Sequence, residues 1–223
     1  MTVMFVVMTI LILLALDVVV RRARTKKAVP VTPAHTPALA YPVRLPDGIF
    51  FARSHTWMSL LPSGKIRLGI DDFVIRLLDS LSISYLKGPR ERLQKGEPIL
   101  VLREGDHSLT IRAPIEGEIL ERNDRLSKEP NMLKEMLFTD GWAYTIVPAR
   151  HSDLKQLLLG EETRPWIAEE FCRLRDLFAR KVSTNKIVPS LLQDGGPPAD
   201  GALKSVQRQT WEQFDHMFLR ETG

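Results

Sequence analysis

The feature that most constrains the fold is a regular alternation of short apolar runs and turn residues between residues 48 and 147. Residues 65–70 (KIRLGI) alternate polar and apolar side chains, as a half-buried strand does, and Pro62-Ser63-Gly64 precedes them as a turn. Asp71 or Asp72 is placed to cap a short helix directly after this strand. Further strands are predicted from residue 50, from residue 56 and at 82–86, 98–102, 108–112, 117–121 and 143–147. This rhythm predicts a mainly β sandwich or barrel.

The first twenty residues form a separate apolar segment. Residues 2–16 carry no charge, and residues 18–20 extend the apolar run past Asp17. Because about 20 apolar residues span a bilayer as a helix, we expect residues 1–20 to be a transmembrane anchor, with Asp17 near the interface or against a partner helix. A cleaved signal peptide is the alternative, but no basic residue precedes the run and arginines follow it.

A basic cluster follows the anchor directly and consists of Arg21, Arg22, Arg24, Lys26 and Lys27. Without it, 26 basic residues face 27 acidic ones, so the positive net charge of +4 comes from this cluster. A local cluster indicates an anionic lipid surface as its partner and argues against nucleic acid. Since positive flanks stay inside, we expect a single-pass protein of the inner membrane, with its N-terminus out and its folded domain in the cytoplasm. A single cysteine, Cys172, allows no internal disulfide and suits that compartment.

The rest of residues 21–47 is rich in proline, with prolines at positions 30, 33, 37, 42 and 46. Proline at this density favours an extended chain, so we interpret the segment as a basic and proline-rich, semi-rigid stalk. A recognition segment for a proline-binding module is the alternative.

Three phrases of the sequence then resemble one known family. Residues 54–57 (SHTW), 69–73 (GIDDF), and 95–98 (KGEP) with 113–119 (APIEGEI) are similar to the "HEW", "GITDYA" and "KKGE…SPVSGEV" phrases of glycine cleavage H-proteins. Asn123, Leu126, Pro130 and Gly141-Trp142 follow at the family's spacing. The resemblance covers about residues 48–180 and implies a barrel-sandwich hybrid, the lipoyl-like H-protein fold, with flanking helices and a domain over residues 48–160.

In that family, the hairpin between the segments that correspond to residues 95–98 and 113–119 presents a lysine that carries lipoate on a swinging arm. Counting back from Ala113-Pro114, the resemblance puts the lysine's place at Asp106, beside Glu104, Gly105 and His107. No lysine occurs between Lys95 and Lys128, so a register slip of one or two residues does not supply an amine. We therefore expect no lipoyl or biotinyl group and no other cofactor at this tip.

The polar residues of the same tip allow another interpretation. Glu104, Asp106 and His107 are of the types that bind a divalent ion or relay protons. However, successive strand residues point to opposite faces, so we expect a solvated tip with no metal. We expect His55 to pack or bond locally and His151 to be structural. No catalytic motif is recognisable, which predicts that the protein is not an enzyme.

A basic stretch precedes the hairpin and contains Lys87, Arg90, Arg92 and Lys95. It either docks an acidic partner or solvates a long turn.

The C-terminal part is predicted to be helical. Ser152 and Gly160 would bound a first helix, similar to the helix that ends H-proteins, and Thr163 would cap a second, with Pro165 in its first turn. The second helix, an extension over residues 161–182, has one apolar stripe, made by Trp166, Ile167, Phe171, Leu174, Leu177 and Phe178.

Beyond a linker at residues 183–202, we expect a last amphipathic helix within residues 203–223. Its apolar face would contain Leu203, Val206, Phe214, Met217 and Phe218, with Trp211 nearby. Such a helix either docks into a partner's groove or folds back on its own domain, and the sequence leaves both open.

The combined interpretation is a non-catalytic, membrane-tethered, H-protein-like interaction module that does not carry lipoate, with a protein partner docking on the lipoyl-like domain or the C-terminal helix. The first alternative is a carrier of the glycine cleavage class that is modified at another residue. The second is a membrane-fusion-type adaptor, whose lipoyl-like domain also follows one anchor. The basic flank and the short tip argue against the adaptor, because adaptors present the domain outside the cytoplasm and insert a long helical hairpin there.

Overall fold

The structure, a computed structural model, describes residues 43–182 and 200–220. The predicted anchor, the basic cluster Arg21 to Lys27 and most of the predicted stalk lie outside these residues, as do residues 183–199 and 221–223. Within the described ranges, no helix is both long enough and apolar enough to cross a membrane.

The described chain forms two antiparallel sheets flanked by helices, so the prediction of a mainly β fold with flanking helices is confirmed. The strands are β1 (Phe50–Ala52), β2 (Thr56–Leu60), β3 (Ile66–Ile70), β4 (Ser82–Tyr85), β5 (Arg92–Leu93), β6 (Pro98–Glu104), β7 (His107–Arg112), β8 (Gly117–Arg122), β9 (Trp142–Pro148) and β10 (Leu158–Leu159). The helices are α1 (Asp72–Leu77), α2 (Arg125–Lys128), α3 (Met132–Glu135), α4 (Thr163–Val182) and α5 (Arg208–Phe218). The strand order is β10-β1-β2-β3-β9-β8-β5 in the larger sheet and β4-β6-β7 in the smaller one.

One continuous hydrophobic core contains residues of both sheets and of the helices. Trp57 on β2 is fully buried and lies opposite Gly69 on β3. A Cβ atom at position 69 would lie only 2.4 Å from the indole ring, so the ring occupies the space that any other residue's side chain would need. This contact explains why a glycine stands next to last in β3, before Ile70.

The junction between β3 and α1 is closed by two buried aspartates. Asp71 caps α1, since its Oδ1 accepts from the Val74 N–H at 3.1 Å, as the sequence predicts. Asp72 accepts from the Arg44 guanidinium at 2.7 Å. Val43 and Leu45 beside that arginine pack against the core. The last residues of the predicted stalk therefore contact the folded domain.

The prediction of a helix at residues 152–158 is wrong. The chain forms a 3₁₀ turn at His151–Gln156 and then strand β10, which pairs with β1. Ser152 makes no capping hydrogen bond, and Arg150 precedes the turn instead. Pairing of Leu158–Leu159 with β1 is a contact with residues more than a hundred positions earlier, which local capping signals do not report.

Helix α4 buries the whole predicted apolar stripe, so that prediction is confirmed. Thr163 begins the helix, but its hydroxyl finds no hydrogen-bond partner among the described residues, so it does not cap through its side chain.

The predicted last helix is interrupted. Ala202–Ser205 form a 3₁₀ turn, Val206 and Gln207 are extended, and α5 begins only at Arg208. The Leu203 carbonyl accepts from the Val206 N–H and from the Trp211 indole, which replaces the bonds of a continuous helix. Leu203, Trp211 and Phe218 are buried in the same core as the sheets. Of the two alternatives, the helix therefore folds back on its own domain.

Candidate functional site

Strands β6 and β7 form a hairpin whose tip is a two-residue turn. Glu104 pairs with His107, and Gly105 and Asp106 connect them. Gly105 has a φ of 57°, in the left-handed region that a glycine adopts without strain. Asp106 is exposed. The residue at the predicted lysine position thus lies in the exposed turn of the hairpin.

Glu104 fixes the tip to the loop that follows α1. The carboxylate is buried, and its Oε1 accepts from the backbone N–H groups of Asp79 and Ser80, at 2.9 Å each. Lys204 donates to the Asp79 carboxylate at 2.6 Å, so the C-terminal segment holds the same loop. The expectation of a solvated tip is therefore wrong for Glu104, because its carboxylate serves a structural role.

The C-terminal segment, residues 200–220, packs against the outer strand of the hairpin, and we name it the C-terminal cover. The ring of His107 stacks on Trp211 with ring centroids 5.0 Å apart. Next to this contact, Asp215 Oδ1 accepts from the Thr110 N–H on β7 at 2.8 Å. One side of the hairpin is therefore occupied by the chain itself.

Metal binding at the tip is not supported by its geometry. Glu104 points into the loop after α1 and His107 faces Trp211, whereas Asp106 points to solvent. Throughout the described ranges, no group of three or more His, Cys, Asp or Glu side chains is placed to hold a metal ion.

Comparison with known proteins identifies the domain that carries this hairpin. The family model of the glycine cleavage H-protein matches residues 49–170, which is more than half of the chain and contains the complete hairpin. The chain belongs to the glycine cleavage H-protein family.

Individual H-proteins are similar over the same region. Glycine cleavage system H protein 2 of Aquifex aeolicus is 28% identical over 120 residues, which are 53% of this chain and 74% of that protein. The glycine cleavage system H protein of Methylococcus capsulatus is 29% identical over 126 residues, 56% of this chain and 98% of that protein. The crystal structure of a glycine cleavage system H protein from Mycobacterium marinum covers 56% of this chain and 98% of that chain, with 19% identity and a TM-score of 0.44.

The H-protein match ends at residue 170, so most of α4 and the whole C-terminal cover lie outside it. Contacts that cross this boundary are therefore additions to the H-protein domain. They include those of His107 with Trp211, Thr110 with Asp215 and Glu170 with Arg173.

A buried charge cluster joins these additions to the sheets. His55 is fully buried, with its ring stacked between Phe73 and Trp166 at centroid distances of 4.3 and 5.1 Å. Its Nδ1 lies 2.7 Å from Asp71 Oδ2, and its Nε2 lies 3.9 Å from Glu170 Oε2, an ion-pair distance too long for a hydrogen bond. The prediction that His55 packs and bonds locally accounts for its contact with Asp71 but does not include its contact with Glu170.

The electrostatics of this cluster favour a protonated histidine. Burial lowers the pKa of His55, but the carboxylates of Asp71 and Glu170 raise it more, to about 9. Burial raises the pKa of Glu170, but His55 and Arg173 lower it more, to below its ordinary value. At neutral pH the cluster is therefore held as ion pairs.

Two functional contacts were missed because their partners are distant in sequence. Glu170 interrupts the apolar stripe of α4 at a buried position, four residues after Trp166 and four before Leu174. A carboxylate in such a stripe is a signal for a buried cation. Asp215 likewise follows Phe214 on the buried side of α5, and it pairs with a backbone N–H instead.

The remaining residues singled out in the sequence have local contacts. The His151 ring lies 2.9 Å from the Gly64 carbonyl and is structural. Lys87 pairs with Glu97 at 2.6 Å and with Glu91 at 3.7 Å. Arg90 is exposed in the turn before β5, and Arg92 is exposed at the start of β5. Within the predicted basic stretch, Lys87 is therefore paired with acidic neighbours, whereas Arg90 and Arg92 are exposed.

The raised pKa of His55 predicts a loss of stability at high pH. Between pH about 6.5 and 9 the folded state keeps a proton that the unfolded state has lost, so the free energy of unfolding should fall by up to about 3 kcal/mol. Urea unfolding measured between pH 6 and 10 tests this.

Glu170→Gln removes one of the carboxylates that raise the pKa of His55. The fall in the free energy of unfolding should therefore occur at lower pH than in the wild type. His151→Asn changes an exposed histidine and should keep the wild-type profile. A pH profile that Glu170→Gln leaves unchanged would contradict the cluster's role.

The bond from Thr110 to Asp215 should contribute measurably to stability. Asp215→Ala leaves this half-buried N–H without its acceptor, so we expect the free energy of unfolding to fall by about 1–3 kcal/mol. We also expect faster hydrogen exchange of the Thr110 amide. Urea unfolding and amide exchange followed by NMR measure both effects.

The matched control is Glu212→Ala on the same helix, where the lost ion pair with Arg208 is exposed and worth less than about 1 kcal/mol. Equal effects of the two substitutions would show that Asp215 acts only through helix α5 and not through the hairpin.

Proposed function

We propose that this chain is a non-catalytic, membrane-tethered interaction module of the glycine cleavage H-protein family that does not carry lipoate. The observation that carries the proposal is the exposed hairpin tip, which presents Asp106. A carboxylate cannot form the amide that attaches lipoate to a lysine. No lysine lies between residues 96 and 127, so neither strand of the hairpin offers an amine.

The way in which the tip is held supports a docking role. The Glu104 carboxylate and the stack of His107 on Trp211 hold both ends of the turn, while Gly105 and Asp106 remain exposed. A preformed tip loses little conformational entropy when a partner binds it. We propose that a protein partner binds this fixed tip and that the residues around the tip form the rim of the interface.

The tether is the part of the proposal that depends on the N-terminal sequence. The uncharged run of residues 2–16 followed by Arg21 and Arg22 supports an uncleaved anchor with the domain in the cytoplasm. We propose that this anchor holds the domain, or a partner bound to it, at the inner membrane surface.

The first test is intact-mass analysis of the protein purified from its native host, with peptide mapping across residues 95–128. We expect an unmodified peptide, because the hairpin has no acceptor amine. A lipoyl-sized adduct in this span would restore the alternative of a carrier modified at another residue, which the family membership favours.

The matched control is Asp106→Lys, co-expressed with a lipoate-attaching enzyme. Asp106 lies at an exposed turn, so this substitution should fold normally, and we expect the variant to gain the adduct that the wild type lacks. A modified wild-type chain in the same cells would sink the proposal of a non-lipoylated module.

Membrane fractionation tests the tether. We expect the full chain to resist extraction by high salt and to require detergent, because an inserted apolar helix is not held by charge. A chain that lacks residues 2–20 should be released by salt, since only the basic cluster would then hold it. Protease added to inside-out vesicles tests the orientation, and we expect it to digest the domain. A full chain found in the salt extract would exclude the anchor.

A further inference from the structure

The outer face of the smaller sheet continues directly from the hairpin tip. Ser82, Arg103 and Ser108 lie opposite one another on β4, β6 and β7, so their exposed side chains share one side of the sheet. The next row on this side is partly exposed and contains Ser84, Val101 and Thr110. These two rows form the surface that we name the outer face.

The hairpin tip alone is too small for a stable interface. Specific interfaces bury about 800 Å² on each partner, which is more than the two exposed residues Gly105 and Asp106 can supply. The inner side of the hairpin is buried in the core, as Leu102 and Leu109 show. The edge of β7 is covered by α5, whose Asp215 accepts a hydrogen bond from the strand. The outer face is therefore the side of the hairpin that stays open next to the tip.

Two arginines make the outer face positive. Arg103 lies on the middle strand, and within the described ranges it forms no hydrogen bond or ion pair. Arg112, at the end of β7, lies on the same side of the sheet; it donates to the neutral Gly96 carbonyl at 3.1 Å, and its Nε has no partner among the described residues. Asp215, the acid at the covered edge, is already paired with Arg220. The outer face itself contains no carboxylate, so neither arginine has an anionic partner in the part of the chain that the structure describes.

The rest of the outer face consists of short side chains. Burial of a serine or a valine in an interface costs less rotamer entropy than burial of a lysine or a glutamate. The hydroxyl groups of Ser82 and Ser108 lie on either side of Arg103 and can donate to an anion bound there. Val101, on the middle strand, adds a small apolar contact. A partner can therefore approach this flat surface closely, with a position for an anionic group at each arginine.

We propose that the outer face binds an acidic surface of the partner protein, with one carboxylate on Arg103 and another on Arg112. This binding mode rests on the docking role proposed above, and it adds the side from which the partner approaches and the charge that the partner carries. A guanidinium group binds a carboxylate through two parallel N–H bonds, so each arginine selects a carboxylate by geometry as well as by charge. Arg112 lies four positions beyond the Arg103–Ser108 pair along β7, so the two carboxylates should be about 13 Å apart, at about 3.3 Å per residue.

Site-specific photo-cross-linking in the native host tests this proposal on the full chain. A photoreactive amino acid replaces Ser108 on the outer face, Asp106 at the tip or, as a reference, the exposed Lys155 in the 3₁₀ turn before β10. The cross-linked peptides are identified by mass spectrometry. We expect position 108 to capture a protein peptide that contains Asp or Glu, and we expect position 155 not to capture it.

Charge reversal decides whether the capture depends on the arginine. Arg103→Glu should lower the cross-link yield at position 108 by at least about tenfold, because it replaces an attraction by a repulsion. Arg53→Glu is the matched control, since it reverses an exposed arginine in the turn between β1 and β2, and it should leave the yield within about twofold. Both arginines are exposed, so both variants should fold. Replacing the captured carboxylate residue of the partner by arginine should restore the yield with Arg103→Glu.

Capture that depends on Arg103 and is restored by the charge exchange supports the proposal. Capture at position 108 that Arg103→Glu leaves unchanged overturns it, as does capture of phospholipid alone, which would show that the membrane covers the outer face. Capture at position 106 but not at position 108 also overturns it and leaves the docking role of the tip intact. Capture at neither position overturns both.

Discussion

The buried contact between His55 and Asp71 is the interaction on which the arrangement of sheets and helices depends. Asp71 uses one oxygen to cap α1 and the other to hold the histidine, and its own N–H donates to the His55 carbonyl. The second carboxylate, Glu170, comes from α4 and is held in turn by Arg173 at 2.7 Å. Two anions and two cations thus compensate each other: His55, Asp71 and Glu170 are buried, and Arg173 reaches Glu170 from a partly exposed position. Removal of one member of such a buried pair typically costs about 3–5 kcal/mol.

This cluster also determines where the C-terminal cover lies. Arg173 donates to the Met217 carbonyl at 2.8 Å, and the ring of Phe218 packs on Phe73 beside the histidine. With one end of α5 held there, its other end places Trp211 against His107. The hairpin tip, which is far from the cluster along the chain, is therefore positioned through a continuous series of contacts. The residues outside the H-protein match are part of the same core as the family domain.

Local signals in the sequence predict the parts of the fold that depend on neighbouring residues. The turn before β3 and the Asp71 cap are recognisable because donor and acceptor lie within three residues of each other. The helix at residues 152–158 fails because β10 pairs with β1, and the continuous last helix fails because Trp211 takes the Leu203 carbonyl. At the tip, counting from Ala113-Pro114 locates the turn at Asp106, but the bonds of Glu104 to residues 79 and 80 join segments 24 and 25 residues apart. No periodicity of the hairpin itself contains that information.

The bond between Asp215 and Thr110 has a consequence for handling the protein. Strand β7 is an edge strand of the smaller sheet, and unpaired N–H groups on an edge strand can pair with a strand of another molecule. In this chain helix α5 covers that edge. The Asp215 carboxylate accepts the hydrogen bond of the Thr110 N–H, as the carbonyl of a neighbouring strand would. A chain shortened to the H-protein match is the natural choice for producing a smaller domain. It would expose this edge strand and the apolar surface under Trp211 and Phe214. Such a fragment would self-associate during purification, although every residue of the family domain is present.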